Sequence, residues 1–84
     1  MPDPLRGLKV LVIEDDYLIA SFIEQLLTAA ACIVSEPIPR LLEAQEEVKR
    51  GNYDAAVLDI NLNGERVYSV CETLSGRNIP YFQS

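Results

Sequence analysis

Two short apolar runs, each cut off by acid, constrain this chain more than any other feature. Val10-Leu11-Val12-Ile13 runs into Glu14-Asp15-Asp16, and Ala55-Ala56-Val57-Leu58 runs into Asp59-Ile60-Asn61-Leu62-Asn63-Gly64. Short apolar runs bounded by charge have the length and composition of strands buried on both faces of a parallel sheet. In open α/β sheets, ligands bind outside the carboxyl ends of the strands. If the two runs are parallel neighbours, Glu14, Asp15 and Asp59 converge at one edge of the sheet. Carboxylates crowded in this way repel and resist ionising together unless a cation is present. An all-oxygen donor set suits a hard ion such as Mg2+.

The rest of the chain alternates between the same two kinds of pattern. Leu18, Ile19, Phe22, Ile23, Leu26 and Leu27 recur in steps of one, three and four, which makes one apolar helical face. Asp15 or Asp16 caps that helix, and Ala29-Ala30-Ala31 closes it. Cys32-Ile33-Val34 reads as a second strand, stopped by Pro37 and Pro39. A second helix over 40–50 turns Leu41, Leu42, Ala44 and Val48 inward and ends at Gly51-Asn52 in a left-handed stop. A third strand lies within 53–59. A turn follows over 61–64, in which Gly64 supplies a positive φ. A third helix over 65–74 buries Val67, Val70, Cys71 and Leu74 and ends at Gly76, and a fourth strand begins over 79–82. Tyr17 and Tyr68 are expected to be half-buried aromatics. The order β-α-β-α-β-α-β predicts one α/β domain over 1–84 with a parallel sheet.

Composition excludes several function classes. The net charge of −6, from 13 acids against 7 bases, leaves no basic patch for phosphates, so no nucleic-acid partner is expected. No apolar run approaches a membrane span and no signal peptide is evident, which predicts a cytoplasmic protein with no membrane partner. Cys32 and Cys71 stand far apart and fit no metal spacing, so both are expected to be reduced, mostly buried thiols. The chain has 0 His, which removes the commonest general base.

The two acid-ended stretches, and the helix, strand and helix between them, resemble the receiver domain of bacterial two-component response regulators. The resemblance covers nearly the whole chain. It implies a flavodoxin-like parallel sheet with strand order 2-1-3-4 and three helices, short of the fifth strand and the helices that such domains carry. It implies that Asp59 accepts a phosphoryl group from a histidine kinase or phosphotransfer protein. It also implies that Glu14, Asp15, Asp59 and the backbone carbonyl of Asn61 hold Mg2+. Ser84 stands at or near the place of the hydroxyl that reports the phosphoryl group, and the Lys that ends the fifth strand has no counterpart. Such a domain modifies itself and is not an enzyme acting on a separate substrate. Its output passes to a downstream protein partner. The open edge of the fourth strand, a template for pairing, predicts a homodimer through that edge or through swapped elements.

Other classes fit less well. Asp59 to Gly64 matches the first half of a calcium-binding EF-hand loop, D-x-[DN]-x-[DN]-G. Its twelfth position is Val70, where a bidentate Glu is required, and the preceding segment reads as a strand. A haloacid-dehalogenase-type phosphatase needs a second Asp two residues after the first, and Asn61 cannot carry a proton in that role. The runner-up is a receiver-like interaction module that keeps the acidic pocket without switching.

Overall fold

Backbone pairing makes the two acid-ended runs into the central strands of one sheet. The computed structural model describes residues 5–59, 61–62 and 65–83. The elements run β1 (Lys9–Ile13), α1 (Tyr17–Ala29), β2 (Ile33–Val34), α2 (Leu41–Arg50), β3 (Ala55–Leu58), β4 (Asn61–Leu62), β5 (Glu65–Arg66), α3 (Tyr68–Gly76) and β6 (Tyr81–Gln83). β1, β2, β3 and β6 form a parallel sheet in the order β2-β1-β3-β6. This is the 2-1-3-4 order and flavodoxin-like, receiver-type topology expected from the sequence. β1 connects outward to β2 and β3 connects the opposite way to β6. The chain therefore reverses direction between β1 and β3, which opens a crevice at their carboxyl ends.

The core lies on the face covered by α2 and α3. Leu11, Ile13, Ala56 and Leu58 pack there with Ala44 and Val48 of α2 and Val70, Cys71 and Leu74 of α3. Strand alternation sends Val10 and Val12 to the opposite face, where α1 packs over β1 and β2. No helix among the described residues is long and apolar enough to cross a membrane.

Several local expectations are corrected. In α1, Ala20 is buried, whereas Leu18, Ile19, Phe22 and Leu26 are exposed. The apolar arc is wider than the sheet can cover. Leu42 is likewise exposed, as are Tyr17 and Tyr68. Cys32 lies outside β2, partly exposed, with its Sγ 3.5 Å from the Leu5 carbonyl, while Cys71 is buried as expected. Gly51 has φ −77 and makes no left-handed stop. It is small because a Cβ there would run into the Tyr53 ring. The left-handed residues are Ala31 (φ 67) and Asn78 (φ 59). Each closes a helix in a Schellman motif: Ala31 and Cys32 donate to the carbonyls of Thr28 and Leu27, and Asn78 and Ile79 to those of Ser75 and Leu74.

The expected turn over 61–64 includes β4, which pairs antiparallel with β5, so α3 starts at Tyr68 and not at 65. The Gly64 and Ser84 expectations fall outside the described residues.

Candidate functional site

Register places the acids before any side chain is considered. Ile13 pairs with Leu58, so the next residues, Glu14 and Asp59, leave neighbouring strands side by side at the crevice. The Asp59 amide donates to the Ile13 carbonyl at 2.9 Å, which extends the ladder to the acid itself. The segment after β2 runs along the other side of β1. Ile38 donates to the Val12 carbonyl at 2.9 Å, and the Glu14 amide donates to the Ile38 carbonyl at 3.1 Å. Glu14 is thus held by backbone bonds on both sides of its strand.

Asp16 resolves the choice of cap. Its Oδ1 accepts from the Leu18 amide at 2.9 Å and the Ile19 amide at 3.2 Å. These amides lack intrahelical partners in the first turn, and a carboxylate also suits the positive end of the helix dipole. With Asp16 turned to the helix, Asp15 is left beside Glu14 and Asp59.

Glu14, Asp15 and Asp59 each present a carboxylate oxygen within 4.8 Å of the others. Glu14 is 4% exposed. Its Oε2 is buried without a hydrogen-bond partner. Burial raises its pKa from 4.5 to about 7, helped by a side-chain hydrogen bond to Asp59 and by repulsion from Asp59, Asp15 and Asp16. An orphaned buried carboxylate oxygen within reach of two more is a donor set that a hard divalent cation satisfies. Asn61 lies two residues beyond Asp59 in β4, opposite Arg66. A cavity of about 350 Å³ adjoins the acids, lined by Glu14, Asp15, Tyr17, Ser21, Glu24 and Glu36 among others. No sequence signal singles out Glu24 or Glu36. Their approach depends on how the segment after β2 packs against α1, which no local pattern encodes.

A second polar network lies at the opposite end of the sheet. The Tyr53 hydroxyl donates to Glu47 Oε1 at 2.5 Å, and Arg50 donates to Glu47 Oε2 at 2.8 Å. These bonds hold the Glu47 carboxyl below its usual range, and burial with the Glu47 bond holds the Tyr53 phenol above its own. Arg77 Nη1 donates to the carbonyls of Val48 at 2.7 Å and Gly51 at 2.6 Å. The network ties the end of α2 to the end of α3 and has no access to the acidic crevice.

No protein-family model matches the chain, and no curated protein sequence does. Solved structures do. SdrG from Sphingomonas melonis Fr1 shares 33% identity at a TM-score of 0.85, over 92% of this chain and 66% of that one. The response regulator PhyR from Brucella abortus shares 26% identity at a TM-score of 0.82, over 94% of this chain and 34% of that one. The receiver domain of a Pseudomonas aeruginosa PAO1 sensor histidine kinase, with a magnesium ion coordinated in its active-site cleft, shares 25% identity at a TM-score of 0.80, over 92% of this chain and 66% of that one. The chain thus spans about a third of PhyR and about two-thirds of the other two.

Proposed function

The chain belongs to the receiver-domain family of response regulators, and from that premise we propose that it is a phosphoacceptor module whose Asp59 takes a phosphoryl group with Mg2+ held nearby. The observation that carries this reading is the convergence of Glu14, Asp15 and Asp59 within 4.8 Å at the crevice between β1 and β3. These three side chains, with the Asn61 backbone carbonyl, are the residues that would hold Mg2+. Bound there, Mg2+ would neutralise the crowded negative charge that opposes an anionic phosphodonor.

The remaining chemistry belongs to the chain. The backbone of Asp59 is fixed by the hydrogen bond its amide donates to the Ile13 carbonyl, so its carboxylate meets the donor in a set position. One of its oxygens forms a bond to phosphorus as the bond between phosphorus and the donor's leaving atom breaks. The leaving atom departs with the electron pair. Glu14 and Asp15 keep their places beside it, and the product is an acyl phosphate with added negative charge. Ser84 is the candidate hydroxyl to report that charge. The domain has no separate substrate, so the reading makes it a self-modifying signalling module and not an enzyme.

The same reading assigns a histidine kinase or phosphotransfer protein as donor, a downstream protein as receiver of the signal, a homodimer, and a cytoplasmic setting. The alternative, an interaction module that no longer switches, draws on the exposed apolar side chains of α1.

The test is intact mass after incubation with Mg2+ and a small-molecule phosphodonor, with Asp59→Asn as control. One added phosphoryl group is expected, absent with chelator and absent in the variant. A folded chain that gains no mass refutes the phosphoacceptor reading and leaves the interaction module.

A further inference from the structure

We propose that Asp16 is a positioning residue for the acidic site: by capping α1 itself, it keeps Asp15 from being drawn away as the helix cap. The inference rests on the reading of Glu14, Asp15 and Asp59 as Mg2+ donors and adds the residue that holds the second of them in place.

Two adjacent acids compete for one helix end. Asp is among the preferred N-cap residues, so Asp15 and Asp16 are each able to take the amides of the first turn. Only one can do so, and it is Asp16. Its backbone is extended, at φ −82 and ψ 113, and its carbonyl accepts the first helical bond from Ala20 at 2.9 Å. Its Oδ1 takes the Leu18 amide at 2.9 Å and the Ile19 amide at 3.2 Å. Asp15 stays outside the helix, half-buried, with a carboxylate oxygen within 4.8 Å of those of Glu14 and Asp59. Asp16 is exposed and stands outside that cluster.

Packing does little to fix where the helix begins. Tyr17 is 81% exposed, Leu18 77% and Ile19 44%, and Ala20 is the first buried side chain of α1. The first turn carries no other acid. A start one residue earlier therefore costs little packing, and it has a defined consequence. Residue 16 becomes helical and Asp15 becomes the cap. The Asp15 carboxylate then turns to the amides of Tyr17 and Leu18, the second and third positions of the lengthened helix. The acidic site loses one of its three side-chain donors. The helix can begin no earlier, because Glu14 is locked into the sheet by its bond to the Ile38 carbonyl.

Two substitutions separate this role from the others open to an acid near a cation site. Asp16→Ala favours the shift in two ways, since Ala is among the poorest caps and the best helix interior residue. Asp16→Asn keeps the cap and removes the charge. If Asp16 acts by its charge or as a ligand, Asn behaves like Ala. If it acts as the cap, Asn behaves like the wild type.

The experiment is titration of the full chain with Mg2+, followed by NMR at the Asp59 amide. Asp16→Ala should weaken Mg2+ binding about fivefold, the population ratio that corresponds to the preference of a helix start for Asp over Ala. The carbon shifts of residue 16 should turn helical in that variant. Asp16→Asn should bind Mg2+ within twofold of the wild type. Residue 16 is exposed, so both variants should fold, and urea unfolding in metal-free buffer checks this. The urea midpoint of Asp16→Ala should stay close to that of the wild type, because Asp15 supplies the replacement cap. Mg2+ affinity in Asp16→Ala within twofold of the wild type overturns the proposal. With a lower urea midpoint, that result makes the cap merely structural. Asp16→Asn binding as weakly as Asp16→Ala also overturns it and assigns Asp16 a role through its charge. A wild-type chain that binds no Mg2+ is a separate outcome: it removes the Mg2+ reading of the site, and this inference with it.

Discussion

Glu14 makes this fold less stable as pH rises, and the size of the effect follows from its surroundings. Its carboxyl is raised from 4.5 to about 7 in the folded chain by burial, by its hydrogen bond to Asp59 and by three neighbouring acids. The sign is fixed by proton counting. Between those two values the folded chain holds a proton that the unfolded chain has lost, so unfolding is increasingly favoured as pH rises. The loss begins near pH 4.5, is complete once pH passes about 7, and amounts to about 3 kcal/mol at 1.36 kcal/mol per unit. That is a large share of the 5–15 kcal/mol or so available to a small domain. Glu14→Gln removes the titrating proton and keeps the shape. In buffer with a chelator, urea unfolding of both chains should give a difference that is small at pH 4.5 and grows to about 3 kcal/mol in favour of the Gln variant by pH 8. Titrations elsewhere in the chain, such as that of Glu47 at the opposite end of the sheet, occur in both chains and cancel in the difference. Mg2+ must bind the ionised form, so its affinity should fall about tenfold per unit below pH 7. A difference between the two chains that is flat from pH 4.5 to 8 would falsify this account of the acidic crevice.

Two further expectations concern the frame that holds the crevice. Arg77→Ala removes charged hydrogen bonds of 2.7 Å and 2.6 Å to the carbonyls that end α2, and should cost about 2 kcal/mol in urea unfolding. A loss below about 0.5 kcal/mol would mean that water replaces the guanidinium at no cost. Ala31→Gly should stabilise the chain, because Ala31 sits at φ 67. Relief of the left-handed penalty of about 1–2 kcal/mol exceeds the backbone entropy glycine adds, for a net gain of about 0.5–1 kcal/mol. A lower thermal midpoint for the Gly variant would contradict this.

These residues also explain which parts of the structure were legible in the sequence. The meeting of Glu14, Asp15 and Asp59 followed from two runs, because a buried parallel strand leaves few other arrangements for an apolar segment with an acidic end, whereas the strand order came from the resemblance to receiver domains. Helix ends are less legible, for a physical reason. In sequence, glycine is the mark of a left-handed stop, yet the two Schellman ends use Ala31 and Asn78, and Gly51 is small to make room for the Tyr53 ring. Local sequence reports where a left-handed residue is cheap, whereas tertiary packing decides where one is used. The turn chemistry of 61–64 hid β4 in the same way, since its pairing with β5 depends on residues beyond the turn. Helix α1 is the most informative case. A period of 3.6 residues locates an apolar arc but not the part of it that meets the sheet. The arc from Ala20 and Leu27 round to Leu18 spans more than half the helix, and one sheet face buries only its inner part.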